Sequence, residues 1–223
     1  MPLLEPRRIR SFVLRQGRMT HAQNRALDEL LPKYVLPAGT PDLTALFGRD
    51  ARRSLEIGFG NGETLAELAR RHPDEDFLGA EVHRPGVGRL LNTLEAGRLT
   101  NVRVACEDAV RLCSEQLPDA CLDAILIYFP DPWPKKRHHK RRLLQPEFAA
   151  LLARKLRPGG RLHFATDWED YAEQALAVLV ACPGLENTTF GYASRPAERP
   201  ETHFEQRGLK LGHAVFDLVF RRA

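Results

Sequence analysis

The sequence predicts an α/β fold with a doubly wound, mostly parallel sheet, and two observations support this prediction. From residue 54 onward, short β-like runs alternate with segments of helical period, as is typical of parallel strands joined by crossover helices. At 223 residues with 43% apolar side chains, the chain is also long enough for one substantial domain with a large core.

Five β-like runs predict the parallel strands, at residues 54–59, 76–82, 101–107, 122–129 and 161–166. Two segments between them repeat apolar side chains at i, i+3 and i+4, so each marks one face of a helix that packs on the sheet. The repeats consist of Leu65, Leu68 and Ala69, and of Val87, Leu90, Leu91 and Leu94.

The helical pattern continues over residues 148–156. Pro146 suits the first turn of this helix, and Pro158-Gly159-Gly160 predicts that it ends before the fifth strand. We expect Asp167 to cap a further helix that runs to about Val180.

The last third of the chain breaks the alternation. Residues 187–192 and 214–221 predict two strands with no helix between them, joined by a polar segment rich in Arg, Pro and Glu. We therefore expect an antiparallel hairpin to close the sheet.

Positive charge is concentrated in two places, although the net charge is only +4. Arginines crowd the N-terminus, and a second basic cluster covers residues 135–142. Such clusters attract polyanions, so a nucleic acid is the expected partner. We expect residues 1–35 to form a basic arm with the helix that leads into the domain, and residues 36–223 to form that single domain.

The four cysteines have no paired close spacing and lie in apolar segments. This predicts reduced thiols in a cytoplasmic protein and no metal site. No apolar run approaches the ~18 residues of a membrane span, and residues 1–20 lack the apolar core of a secretory signal. An organelle transit peptide is the weaker alternative for the Arg-rich arm.

The most informative segment joins an apolar strand to Phe129-Pro130-Asp131-Pro132-Trp133-Pro134 and then to the basic run. Prolines fix φ and push each preceding residue toward extended geometry, so we expect Asp131 and Trp133 to be held stiffly. A carboxylate, an indole and a cationic run together suit a nucleobase within a nucleic acid. The alternatives are that Asp131 caps a turn, that Trp133 anchors the core and that the basic run is a solvated face.

The first strand ends in a glycine-rich turn from Glu56 to Gly62, in which Gly58 and Gly60 let the backbone pass close to a ligand. A dinucleotide fingerprint would require glycine at position 63, where this chain has Glu63, so a cationic nucleoside fits better than a pyrophosphate.

Glu81 ends the second strand, where an acid can bind a ribose diol, and Asp108 follows the third, where it can accept from an adenine amine. Three acids around a glycine-rich turn predict a site for S-adenosyl-L-methionine. The alternative is that Glu81 and Asp108 are ordinary helix caps.

Three motifs, at residues 56–63, 128–136 and 202–208, resemble those of the bacterial tRNA (guanine-N7)-methyltransferase family. Residues 8–13 with Arg15, Gly17 and Arg18 are similar to the N-terminal arm of that family, which argues against a transit peptide. The resemblance covers nearly the whole chain. It implies a Rossmann-like class I methyltransferase fold, whose seven-stranded, mostly parallel sheet has an antiparallel last strand.

The resemblance implies methyl transfer from S-adenosyl-L-methionine to a variable-loop guanine of tRNA. It places Glu56, Glu81, Asp108 and Asp131 at the cofactor, with Asp131 also catalytic. It implies substrate binding by Lys135, Asp167, Thr202, His203, Phe204 and Glu205. It implies RNA contacts through Arg137, His138, His139, Lys140, Arg141 and Arg142.

Guanine N7 carries a lone pair and no proton, so it can attack a sulfonium methyl without a general base. Alignment of the reacting atoms can then supply ~7–11 kcal/mol of barrier reduction. A fixed carboxylate near the ring favours the transition state, and Asp131 is the candidate. Asp131 could also accept from guanine N1 and N2, a role that Asp167 or Glu205 could take instead.

Two other functions stay open at this point. Asp131-Pro132-Trp133 loosely resembles the Asp-Pro-Pro-aromatic motif of exocyclic-amine methyltransferases, such as those acting on adenine N6. The chain could also be a non-catalytic RNA-binding subunit that retains the fold. In each case we expect a monomer or a homodimer.

Overall fold

One seven-stranded sheet organises the residues that this computed structural model describes, which are 10–12 and 18–223, without the side chains of His203, Phe204 and Leu209. The strands are β1 Arg53–Ile57, β2 Asp76–Ala80, β3 Val102–Ala105, β4 Leu122–Tyr128, β5 Leu156–Thr166, β6 Leu185–Asn187 and β7 Phe216–Arg222. Their order across the sheet is β3-β2-β1-β4-β5-β7-β6.

The first five strands are parallel, whereas β7 is antiparallel to both of its neighbours. The predicted mostly parallel sheet with an antiparallel last strand is therefore confirmed. The strand order reverses between β1 and β4, and the carboxyl ends of parallel strands meet there at one edge. Ligands bind open α/β sheets at such a crevice.

Nine α-helices are described. They are α1 His21–Glu29, α2 Leu31–Tyr34, α3 Leu43–Phe47, α4 Glu63–Arg71, α5 Arg84–Ala96, α6 Ala109–Arg111, α7 Pro146–Lys155, α8 Glu169–Val180 and α9 His203–Lys210. A π-helical turn covers Leu112–Gln116 and a 3₁₀ helix covers Lys136–Arg141.

Both faces of the sheet are covered by apolar side chains. On β4, Ile125 and Ile127 belong to one buried cluster, and Leu126 and Tyr128 belong to the other. This is the alternation that a strand buried on both faces requires. The predicted apolar faces of α4 and α5 are buried in the second cluster.

The helices α1 and α2, which lie before the predicted domain boundary, contribute to the core of the domain. Ala26, Leu27 and Tyr34 are buried in the cluster that contains α5, and the Leu36 amide donates to the Val104 carbonyl at 2.9 Å. A boundary near residue 35 stays a prediction.

The helix α7 ends at Lys155, and β5 begins at Leu156 instead of at the predicted residue 161. The predicted stop Pro158-Gly159-Gly160 lies inside this strand as an irregularity, where the pairing register with β4 shifts. Gly159 has a φ of +76°, a conformation that favours glycine.

Two predictions for the last third are wrong. Asp167 does not cap α8, whose N-cap residue is Trp168 with no side-chain cap. The strands β6 and β7 pair antiparallel as predicted, but β6 ends at Asn187 instead of covering residues 187–192, and α9 lies between the two strands. The missed signal is a capping box: the Thr202 Oγ1 accepts from the Glu205 amide at 3.0 Å, and the Glu205 Oε2 accepts from the Thr202 amide at 3.4 Å.

All four cysteines have free thiols, as predicted. Burial raises the pKa of Cys113 to about 12 and that of Cys121 to about 11, so neither is a reactive thiolate at neutral pH. Among the residues described, no helix combines the length and apolar character that a membrane crossing requires, and no cluster of His, Cys, Asp and Glu is arranged to hold a metal ion.

Candidate active site at the carboxyl edge of the sheet

The glycine-rich turn after β1 forms an open cradle. Gly58 and Gly60 have φ values of +74° and +57°, and a Cβ added at either would meet nothing within 4 Å. Gly62 differs, because its Cβ would lie 2.6 Å from Leu90. The first two glycines therefore leave room for a ligand, whereas the third permits close packing of α5.

Glu81 fastens this cradle to the end of β2. Its Oε2 accepts from the Gly60 amide at 2.8 Å, and its Oε1 accepts from the amides of Val82 and His83 at 2.7 and 2.8 Å. An ionised carboxylate offers about four acceptor sites, so a hydroxyl donor can still bind here.

Glu56 is a buried acid at the carboxyl end of β1, with only 4% of its surface exposed. Its Oε2 has no hydrogen-bond partner in the described part of the chain. Burial, and to a lesser extent the charge of Glu81, raises the pKa of Glu56 to about 8. An unpartnered buried carboxyl beside an open cradle fits a ligand that brings a positive charge.

Asp108 caps α6, because its Oδ1 accepts from the Val110 amide at 3.0 Å. It also lines a cavity of about 510 Å³ with Ser11, Lys140 and Arg141. The capping alternative therefore holds for one carboxylate oxygen, and the adenine contact stays a prediction.

The segment after β4 is strained at two residues. Phe129 and Trp133 have φ values of +50° and +46°, although both precede prolines. The expectation that the prolines impose extended geometry on the residues before them is wrong at these two positions. Such a left-handed conformation costs roughly 1–3 kcal/mol for a non-glycine residue and persists only where surrounding contacts enforce it.

Those contacts are visible at both residues. The Phe129 amide donates to the Ala165 carbonyl at 2.8 Å, which continues the ladder with β5. The Trp133 indole donates to the Ser11 carbonyl at 3.0 Å. The guanidinium carbon of Arg141 lies over the Trp133 ring, 5.0 Å from the ring centre. Asp131 is exposed between these two strained residues.

The basic run forms a short 3₁₀ helix against Trp133. Lys135, Arg137 and Lys140 are exposed, whereas His138 is half-buried with its ring 5.8 Å from that of Trp133. Partial burial and neighbouring positive charge lower the pKa of His138, which favours its neutral form. His139 is half-buried, with its Nε2 3.7 Å from Asp170 Oδ1.

The burial of Arg142 does not support the expected RNA contact, because its side chain is only 1% exposed. Its Nε donates to the Pro132 carbonyl at 2.9 Å and its Nη1 donates to Gln174 Oε1 at 2.7 Å. It also pairs with Asp170 and lies over the Tyr171 ring. Arg142 therefore ties the strained segment to α8.

The residues predicted to bind the acceptor guanine, Asp167 and Thr202 to Glu205, lie where α9 packs on the end of β5. The Asp167 Oδ2 lies 3.3 Å from His213 Nδ1, and a Cβ on Gly208 would lie 2.8 Å from the same oxygen. Thr202 is the cap of α9. The side chains of His203 and Phe204 lie outside the described residues.

Glu205 is 2% exposed, and both of its oxygens accept from Arg199 at 2.7 Å. This geometry does not support the expected direct contact between the Glu205 carboxylate and a guanine. Sequence reasoning missed Arg199 itself, which no motif marks, and missed Asp217, whose only signal is a charge within an apolar run.

Comparison with known proteins gives consistent results. A family model described as "Putative methyltransferase" matches residues 50–218. A tRNA (guanine-N(7)-)-methyltransferase from Nitrosospira multiformis is 57% identical over 218 residues, which cover 97% of this chain and 95% of that protein. One of the same name from Xanthomonas oryzae pv. oryzae (strain MAFF 311018) is 60% identical over 220 residues, covering 97% and 87%.

Solved structures share the fold at low sequence identity. The crystal structure of the 16S rRNA methyltransferase KamB has a TM-score of 0.63 at 16% identity, covering 85% of this chain and 99% of that one. TrmN from Thermus thermophilus has a TM-score of 0.56 at 19% identity, covering 81% and 47%. These neighbours show the Rossmann-like class I methyltransferase fold. The extent and identity of the sequence matches show that the chain belongs to the tRNA (guanine-N7-)-methyltransferase family.

Proposed function

We propose that this protein transfers a methyl group from S-adenosyl-L-methionine to N7 of a guanine in the variable loop of tRNA, giving 7-methylguanosine. One observation carries the proposal. The buried Glu56, whose Oε2 has no hydrogen-bond partner among the described residues, and an open glycine cradle adjoin the strand that ends in the strained segment around Asp131. The names of the two relatives support the choice of substrate.

The residues present fit the cofactor. Glu56 would face its positive charge, Gly58 and Gly60 would let it approach the backbone, Glu81 would accept from the ribose, and Asp108 would accept from the adenine amine. When bound, S-adenosyl-L-methionine supplies an electrophilic methyl group on a sulfonium.

The remaining chemistry requires orientation and no proton transfer. The guanine N7 lone pair forms the new bond to carbon while the carbon–sulfur bond breaks, so positive charge moves from sulfur to the purine. Asp131 favours this movement if its carboxylate lies near the ring, because a fixed charge stabilises charge that develops in the transition state. The two strained residues on either side of Asp131 restrict its backbone.

The exposed cations supply the contact with tRNA. Lys135, Arg137 and Lys140 are available to phosphates, and Arg141 reaches the same surface while it stacks on Trp133. Asp167 and the N-terminal turn of α9 would meet the acceptor guanine. We place the protein in the cytoplasm, consistent with its free thiols.

The test is nucleoside analysis of tRNA after incubation with the protein and methyl-labelled S-adenosyl-L-methionine. The proposal predicts labelled 7-methylguanosine, and none in a matched transcript whose variable-loop guanine is replaced by adenine. N6-methyladenosine would favour an exocyclic-amine methyltransferase. Binding of tRNA without methylation, and without heat on titration with S-adenosylhomocysteine, would favour an RNA-binding subunit.

A further inference from the structure

A fully buried ion network lies beside the candidate site, and Arg199 is its centre. The guanidinium donates from Nη1 and Nη2 to the two oxygens of Glu205, both at 2.7 Å. Its Nε lies 3.0 Å from Asp217 Oδ1. The exposed fractions of these three side chains are 0%, 3% and 2%.

The network continues across the sheet to the last residue of β4. Asp217 Oδ1 lies 2.6 Å from His163 Nε2, and His163 Nδ1 lies 3.0 Å from the Tyr128 hydroxyl. An ionised carboxylate only accepts, so His163 Nε2 carries the proton and Nδ1 accepts from Tyr128. Burial lowers the pKa of His163, which keeps the ring neutral.

Arg199 also contacts the strained end of β4 directly. Its guanidinium carbon lies 5.9 Å from the ring centre of Tyr128 and 5.8 Å from that of Phe129. Phe129 is the residue whose left-handed backbone begins the turn toward Asp131. Arg199 therefore contacts the side chain of the residue at which this turn begins.

The same guanidinium holds α9. Glu205 is the third residue of this helix and forms the capping box with Thr202. Further along the helix, Gly208 packs against Asp167. The position of the whole acceptor side is thus linked to the buried bidentate pair.

We propose that Arg199 is a positioning residue. It holds α9 and Asp167, where the acceptor guanine would bind, in a fixed position relative to Asp131, which would lie beside the cofactor. The inference rests on the proposed function. A buried ion pair contributes little net stability compared with an apolar pair, but it tolerates few alternative geometries. Because a misplacement of about 1 Å can cost on the order of a hundredfold in rate, this geometry affects turnover more than affinity.

The test compares Arg199→Lys with the wild-type protein in tRNA methylation. Lysine keeps the positive charge but cannot form the bidentate pair or the flat contact with the two rings. The proposal predicts that kcat, expressed per S-adenosylhomocysteine-binding site, falls by about tenfold to a hundredfold. It predicts that KM for tRNA and Kd for S-adenosylhomocysteine stay within about twofold, since no ligand contact is removed.

Arg195→Lys is the matched control. Arg195 donates to the same Glu205 carboxylate at 3.1 Å, but its side chain is 41% exposed and its contacts do not include the two rings. We expect its kcat to stay within about twofold of wild type, because solvent reaches Arg195 and weakens its ion pair, and because the bidentate pair of Arg199 with Glu205 stays intact.

Asp217→Asn is a second variant in case Arg199→Lys folds poorly. It keeps the shape of β7 but removes the charge opposite the guanidinium, and we expect the same selective loss of kcat. A wild-type kcat in a folded variant would overturn the proposal, as would activity lost only in proportion to S-adenosylhomocysteine-binding sites. If the wild-type protein itself formed no 7-methylguanosine, the proposed function would fail instead.

Discussion

The Arg142 guanidinium donates from Nε to the carbonyl of Pro132 at 2.9 Å, which joins the end of the basic run to the segment that carries Asp131. A residue that looks like part of an RNA-binding surface therefore acts inside the protein. Its neighbours in the same run, such as Lys140, stay exposed.

This difference predicts opposite phenotypes for two cations of one run. Lys140→Ala should lower the slope of log Kd for tRNA against log salt by about one, because one phosphate contact is lost. Arg142→Lys should leave that slope unchanged and lower kcat, because Pro132 and α8 lose their common donor. Filter binding over a salt series, together with initial rates, checks both. Equal changes of slope in the two variants would show that Arg142 contacts the RNA.

Asp131→Asn should depress turnover far more than affinity for tRNA. The amide keeps the size of the side chain but removes the charge that stabilises the purine cation. We expect kcat to fall by at least about a hundredfold, the scale of a lost electrostatic stabiliser, with Kd for tRNA nearly unchanged. Single-turnover rates at saturating tRNA measure this directly. Losses of similar size in kcat and Kd would make Asp131 a binding residue only.

Glu56 predicts a dependence of folding stability on pH. Its pKa is raised from 4.5 to about 8 in the folded protein, so between these values the folded chain keeps a proton that the unfolded chain loses. This contribution to stability is complete below the lower value and is lost as pH rises through the higher one. Thermal melting from about pH 5 to pH 9 should therefore show wild type losing stability relative to Glu56→Gln. If the melting temperatures of the two proteins changed in parallel with pH, Glu56 would not be buried and protonated as described.

Glu56 also predicts proton release on ligand binding. The ammonium group of S-adenosylhomocysteine favours the ionised carboxylate, so at neutral pH up to about one proton should leave on binding. Calorimetric titration in buffers of different ionisation enthalpy measures this number. Glu56→Gln should bind more weakly and release none. Equal proton release by both proteins would show that the proton comes from a group other than Glu56.

The strands and the acids at their ends were predictable because local patterns determine them. Glu56 and Glu81 lie at or just after parallel strands whose apolar character is visible in the sequence. The parallel topology then brings both acids to the carboxyl edge of the sheet. The apolar faces of α4 and α5 were predictable for the same reason.

Other parts depend on contacts between distant segments. Phe129 and Trp133 adopt a left-handed backbone and form hydrogen bonds to the distant residues Ala165 and Ser11, which proline rules do not take into account. The burial of Arg142 depends on α8, which composition of the basic run does not reveal. The pairing of Arg199 with Asp217 likewise exists only once β7 is in place.

The most direct test of the central claim is a crystal structure of the protein with S-adenosylhomocysteine. The account predicts the ligand over Gly58 and Gly60, its amino group against Glu56, and the Asp131 carboxylate beside the space next to the sulfur that the guanine ring would fill. A ligand bound elsewhere, or an Asp131 side chain directed away from the sulfur, would contradict it.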